Sequence, residues 1–117
     1  YKYITHADIN VEIISDWVHP MLKENFYVAL SNIVDNAVRY VQTRIDIKLQ
    51  NKKLTIYNDG ELIDKDFLPR MFKAYEKGSK GQFGLGLAIV KSTLDMFGLT
   101  ITCVNRKNGV EFIIEQL

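Results

Sequence analysis

Cysteine, proline and net charge are all scarce in this 117-residue chain. Its one cysteine, Cys103, has no second thiol to pair with, so no internal disulfide staples the fold. Two prolines and seven glycines are too few for a fibrous or low-complexity chain. Lysine and arginine exceed the acidic residues by only one, 15 against 14, which leaves no overall field toward DNA or an anionic membrane. Any anion bound here must therefore be held by a local site. No apolar run approaches the roughly 20 residues that cross a bilayer as a helix. What remains is 47% hydrophobic and 25% charged, the composition of a chain with a real core and the length of one domain. The sequence opens at Tyr1 on patterned residues, and we expect residues 1–117 to be a single domain of a longer protein.

Apolar spacing divides the chain into elements. Ile9, Val11 and Ile13 alternate with Asn10 and Glu12, which predicts a strand over 9–14. Beyond His19-Pro20 the period changes. Leu22, Phe26, Ala29, Leu30, Ile33, Ala37 and Val41 recur at three and four, which predicts one long amphipathic helix from Met21. Strands over 44–49 and 54–58 follow, joined as a hairpin across Asn51-Lys52. Asp64 can cap a short helix reaching Phe72, with Leu68, Met71 and Phe72 on its buried side. Residues 73–82 carry Lys73, Lys77 and Lys80 with two glycines and little apolar period, and are expected to form a mobile loop. A second helix is expected from near Gly84 to Phe97, closed by Gly98 in the left-handed conformation. Strands over 100–104 and 110–114 around an Asn108-Gly109 turn complete the chain. The expected class is α+β, a two-layer sandwich of a mixed five-stranded sheet with about three helices on one face.

Polar groups in three segments stand out from this pattern. Asn32, Asn36, Arg39 and Tyr40 fall at i, i+4, i+7 and i+8, one stripe along the edge of the helix's apolar face. Carboxamide oxygens there suit a hard cation such as Mg²⁺, which needs only one or two side-chain ligands. The same spacing also serves asparagines that merely bond loops or water. Asn58 shares a strand face with Leu54 and Ile56, so it ends that strand pointing inward, whereas Asp59 points the other way with Thr55 and Tyr57. An inward acceptor beside Gly60 suits a flat base such as adenine, although Asn-Asp-Gly is equally a turn sequence. Gly84-Leu85-Gly86-Leu87 directly precedes a helix whose first amides favour an anion. No lysine and hydroxyl residue follow the glycines, so this is not a Walker loop. Each signal alone has a bland reading, and it is the combination that points to a nucleotide.

In combination these segments resemble the ATPase superfamily of gyrase, Hsp90, histidine kinases and MutL. Residues 30–40, Leu-Ser-Asn-Ile-Val-Asp-Asn-Ala-Val-Arg-Tyr, look like its N box, and residues 56–63, Ile-Tyr-Asn-Asp-Gly-Glu-Leu-Ile, like its first glycine box. Leu68-Pro-Arg-Met-Phe72 with Tyr75 looks like its F box, and residues 84–90 like its second glycine box. The four boxes keep their order over nearly the whole chain and resemble the histidine kinase branch most. The resemblance implies a Bergerat-type fold with a flexible ATP lid. It also implies that Asn36 is the Mg²⁺ ligand, with Asn32 as its partner near the metal and phosphates. Arg39 and Lys77 would meet the phosphates, and Tyr40 would pack by the adenine. The amides of Gly84, Leu85, Gly86 and Leu87 would hold the phosphate tail. Around the base it implies Asn58, with Asp59 as the alternative contact, together with Gly60, Ile63, Phe72 and Leu87. Asn58 stands where most members carry aspartate, and Leu62 replaces a second glycine.

The other branches usually place a glutamate at the position of Asn32 to activate water, and a carboxamide cannot take that proton. The resemblance therefore implies a kinase domain that binds Mg²⁺·ATP and donates the γ-phosphoryl group to a histidine on a separate dimerisation domain. Neither His6 nor His19 has the sequence context of that acceptor. The implied partners are this dimerisation domain, a cognate response regulator and a second subunit, with no nucleic acid. The implied location is the cytoplasmic side of a membrane-anchored sensor. Two alternatives stay open: an anti-sigma-type serine protein kinase, and a nucleotide-sensing module without transfer activity.

Overall fold

The computed structural model describes residues 8–15, 23–73, 76–77, 83–84 and 86–116. His6, His19, Met21, Tyr75, Lys80 and Leu85 lie outside them. The order of elements follows the apolar periods: β1 (Asp8–Ile13), α1 (Lys23–Tyr40), β2 (Val41–Gln50), β3 (Lys53–Gly60), β4 (Glu76–Lys77), β5 (Phe83–Gly84), α2 (Gly86–Met96), β6 (Leu99–Asn105) and β7 (Gly109–Gln116). Five strands form one sheet in the order β1-β2-β3-β7-β6, and β4 pairs with β5 apart from it. The β1–β2 pair is parallel and the other ladders are antiparallel, so the sheet is mixed as expected.

Because side chains alternate between faces along every strand, the register decides what lies on each side. On the inner face the partners line up in three rows across the five strands. One row is Ile13, Leu49, Leu54, Ile114 and Ile101, and the next is Val11, Ile47, Ile56, Phe112 and Cys103. The third is Ile9, Ile45, Asn58, Val110 and Asn105. Both α-helices pack on this face, with Ala29, Ile33 and Ala37 of α1 and Leu87, Val90 and Leu94 of α2 buried against it. Ile33, Ile45, Ile56, Val90 and Phe112 have no exposed surface. Burying each such side chain stabilises the fold by about 1.5–3 kcal/mol. Only the third row breaks the apolar pattern, with two asparagines.

Four details differ from the sequence expectation. The helix stops at Tyr40, and Val41 starts β2 without a loop, paired to Gly60. Val41 is buried in the strand, and the helical spacing also assigns it to the apolar face, so apolar spacing could not separate the two. The helix expected over 64–72 is a single 3-10 turn, Leu68–Arg70, with no side-chain cap. Pro69 disfavours a helical residue before it, and the bonds Phe67 to Asp64, Arg70 to Phe67 and Lys73 to Arg70 all span three residues. α2 begins at Gly86, because Gly84 belongs to β5. Gly109 sits in β7 with ordinary φ, and the connection is the loop 106–108, closed by the Arg106 amide donating to the Gly109 carbonyl at 2.7 Å. Gly98 does close α2, with φ +73°. Asn51 and Lys52 both take positive φ in the β2–β3 turn.

Candidate functional site

The asparagine stripe of α1 runs from the start of α2 to the end of β3. At its near end the Asn32 amide donates to the Val28 carbonyl one turn back, at 3.0 Å, which fixes the side-chain rotamer. Its Oδ1 then faces Gly86, the first residue of α2, so closely that a Cβ there would stand 3.3 Å from it. At the far end the Tyr40 carbonyl reaches 2.7 Å from where a Cβ on Gly60 would lie, and Gly60 has φ +131°. Any side chain at position 60 would be both strained and crowded. Tyr40 lies about 12 Å along the helix from Asn32. Asn36 stands between them, partly buried, and its carboxamide makes no hydrogen bond to another described residue. Arg39 is exposed and Tyr40 partly buried.

β3 carries Asn58 and Asp59 to opposite sides of the sheet. Asn58 is the buried polar residue among the described ones, 3% exposed, in the apolar row between Ile45 and Val110. Its Nδ2 donates to the Asp59 carbonyl at 3.1 Å, and no described residue donates to its Oδ1. A buried acceptor without a donor is costly, by roughly 1–3 kcal/mol, unless something else supplies one. Asp59 has the reverse balance. Its carboxylate accepts the amides of Thr43 at 2.8 Å and Arg44 at 2.9 Å, and the Thr43 hydroxyl as well. Burial pushes its carboxyl up, but the Thr43 hydroxyl and the Arg44, Thr43 and Gln42 amides outweigh this and lower it to about 2. These bonds sit at the register shift between Val41 and Ile45, where the β2–β3 ladder opens.

Of the remaining sequence candidates, Ile63, Phe72 and Leu87 pack in or against the core. Ile63 is partly buried on the segment after β3, and Phe72 stacks edge-on to Phe112 at 6.4 Å. Leu87 is 2% exposed and belongs to the core under α2. Lys77 and Gly84 lie in the short β4–β5 pair, opposite Phe83 and Glu76, and the Lys77 side chain is outside what the structure describes. One residue escaped the sequence reading. Asn105 at the end of β6 holds Ile63 by both backbone groups, its Oδ1 accepting the Ile63 amide at 3.0 Å and its Nδ2 donating to the Ile63 carbonyl at 2.8 Å. The signal was available, since Leu99, Ile101 and Cys103 alternate toward it and a polar residue ends the series, as Asn58 ends Leu54 and Ile56.

Two helices on one face of a mixed sheet, with carboxamides along one helix and a glycine opening the other, make a two-layer α/β domain. The comparisons narrow this class. Residues 22–117 match the family described as histidine kinase-, DNA gyrase B- and HSP90-like ATPases, and the chain belongs to that family. It is similar to the sensor histidine kinase CssS of Bacillus subtilis, 35% identical over 108 residues, which are 89% of this chain and 24% of that protein. It is also similar to the heme sensor protein HssS of Staphylococcus aureus, 41% identical over 81 residues, 62% of this chain and 18% of that one. This chain thus spans a quarter or less of these relatives. Among solved structures, the catalytic domain of histidine kinase ThkA superposes with TM-score 0.79 at 25% identity, covering 95% of this chain and 80% of that one. The mycobacterial sensor histidine kinase MprB superposes with TM-score 0.82 at 20% identity, covering 96% and 85%. The fold is that of histidine kinase catalytic, ATP-binding domains.

Proposed function

We propose that this domain binds Mg²⁺·ATP between α1, α2 and the end of β3, and passes the γ-phosphoryl group to a histidine on a separate dimerisation domain of a sensor kinase. The supporting observation is Asn58: a carboxamide buried in an apolar row, with an oxygen that no described residue satisfies. Adenine's exocyclic amine is a donor of the right kind. We assign the base contact to Asn58 rather than Asp59, whose oxygens already accept Thr43 and Arg44 from the other face.

The donor set also fits the metal. No cluster of three or more His, Cys, Asp or Glu side chains occurs among the described residues, but Asn36 and Asn32 offer hard carboxamide oxygens one turn apart. Mg²⁺ needs little more than one such ligand beside phosphate oxygens and water, and when bound it neutralises charge on the transferring group. We assign Asn36 as the ligand, with Asn32 beside it. The first amides of α2 lack helical partners and would hold phosphate oxygens, with Gly86 giving them room under Asn32. Arg39 and Lys77 would add positive charge at the γ-phosphate.

Attack by an imidazole nitrogen forms an N–P bond and breaks the bond from phosphorus to the β,γ-bridging oxygen. ADP leaves, and the imidazole sheds its proton to solvent. This domain supplies positioning and electrostatics rather than a base. Asn32 is tied to its own helix and cannot accept a proton from water, which protects ATP until the histidine arrives. The longer protein would be a membrane-anchored homodimer that phosphorylates a response regulator.

The test mixes this chain, ATP labelled on the γ-phosphate and a separately expressed histidine-bearing dimerisation domain. Base-stable, acid-labile label on the second domain is expected. Bound ATP without transfer would leave a nucleotide-sensing module, and label on serine would favour a serine kinase.

A further inference from the structure

Asn105 stands in the same inner row as Asn58, with Val110 between them, so both carboxamides lie on the helix face of the sheet. Neighbouring strands are about 4.8 Å apart, which puts the two asparagines two strands, roughly 10 Å, from each other. Val110 between them is 4% exposed. The segment after Gly60 leaves β3 beside Asn58 and comes back to Asn105 at Ile63, five residues further on. Asn105 is well made for this hold, because a carboxamide carries a donor and an acceptor side by side and meets both the N–H and the C=O of one residue. Residues 61–64 have no regular secondary structure, and these two bonds tie the middle of that segment to β6.

Resting on the nucleotide reading above, we infer that Asn105 is a positioning residue for base recognition: it holds Ile63 over the Asn58–Val110–Asn105 row as one wall of the adenine pocket. Without it the Asn58 acceptor would remain, but the wall that confines the base in the plane of that acceptor would be free to move. Selectivity for adenine then depends on a residue that touches no part of the nucleotide. The phosphate half of the cleft, at Asn32, Asn36 and Gly86, lies on other elements and owes nothing to this clamp.

The test measures ADP and GDP binding by calorimetry at matched Mg²⁺ for the wild-type chain and for Asn105→Ala and Asn105→Asp. Losing two hydrogen bonds that order the wall should weaken ADP by about tenfold. GDP should change far less, so the preference for adenine narrows by the same factor. A merely structural role would lower the melting temperature while leaving that preference intact, and this result would overturn the inference. Asn105→Asp keeps the shape and the acceptor but sets a second oxygen against the Ile63 carbonyl. It should lose selectivity as well, and tests the point if the alanine variant fails to fold. A wild-type chain that binds neither ADP nor GDP would overturn the nucleotide reading itself, and the role of Asn105 with it. Wild-type binding combined with unchanged variant selectivity sinks the inference alone.

Discussion

Asn58 and Asp59 are neighbours in sequence yet belong to regions built on opposite principles. On the outer face, charges find partners within the chain: Asp59 with Thr43 and Arg44, Arg44 with Asp46 at 3.0 Å, Lys53 with Glu115 at 3.4 Å, and Arg106 with Glu111 at 2.6 Å. On the inner face the polar groups are neutral carboxamides set into or beside apolar rows, and Asn36 and Asn58 have bonding capacity that no described residue uses. Exposed ion pairs of the first kind contribute little each, typically under about 1 kcal/mol. Buried unsatisfied acceptors of the second kind cost stability unless a donor meets them. The more polar face thus satisfies its own charges, and the more apolar face keeps carboxamides with bonding capacity to spare.

The change expected to do most harm breaks both regions together. Gly109 lies against β3 so closely that a Cβ would stand 2.2 Å from the Asn58 carbonyl oxygen, 2.7 Å from the Tyr57 hydroxyl and 2.8 Å from the Asp59 Cα. Two of these three atoms are backbone and cannot swing aside. Gly109→Ala should cost about 3 kcal/mol in chemical denaturation and weaken nucleotide binding as well. Full stability in the variant would show that β3 and β7 can slide apart without disturbing either face.

Next comes a change that should separate the regions. Asn58→Ala removes the unsatisfied acceptor, and ATP and ADP should both bind about a hundredfold more weakly while the chain stays folded. Asn58→Asp retains an acceptor and should restore most of the affinity. An effect confined to ATP would move Asn58 from the base to the phosphates.

The mirror-image experiment on the outer face is smaller and leaves binding alone. Asp59→Asn should lower stability by about 1–2 kcal/mol at neutral pH. The Asp59 carboxyl titrates at about 2 in the fold, below its ordinary 3.8, so the unfolded chain takes up the proton first as pH falls. Its stabilisation is therefore complete above about pH 4 and is lost on descending through about 2. Urea unfolding across that window should show a shallower pH dependence in the variant, and an unchanged slope would mean that other carboxylates carry it.

Much of this division was legible in the sequence because a strand's period of two assigns faces without knowledge of the neighbours. That rule gave the five main strands, the inward Asn58 and the outward Asp59. It failed where local pattern and tertiary contact disagree. Val41 continues the helical spacing, but pairing with Gly60 draws it into β2. Asp64 to Phe72 has a helix's apolar residues, but Pro69 and three-residue bonds allow one 3-10 turn. The β4–β5 pair is two residues on each side, too short for any period to register. Asn105 was readable as a polar residue ending an apolar series, but its partner is 42 positions away, and no local pattern predicts that bond.

Cys103 supplies the smallest test, because it asks whether every inner-face side chain next to the clamp matters to binding. It occupies the middle row opposite Phe112, two residues before Asn105, and packs against the core cluster. Burial pushes its thiol up to about 12, so at neutral pH it is a protonated, weakly polar filler. Cys103→Ala should cost about 1 kcal/mol of stability for the lost volume and leave ADP affinity within about twofold. The intact thiol, partly buried and held protonated, should react with iodoacetamide at pH 8 more slowly than a free cysteine. Were Cys103→Ala instead to erode adenine selectivity as Asn105→Ala is expected to, the pocket wall would depend on general packing under β6 and not on the two hydrogen bonds to Ile63.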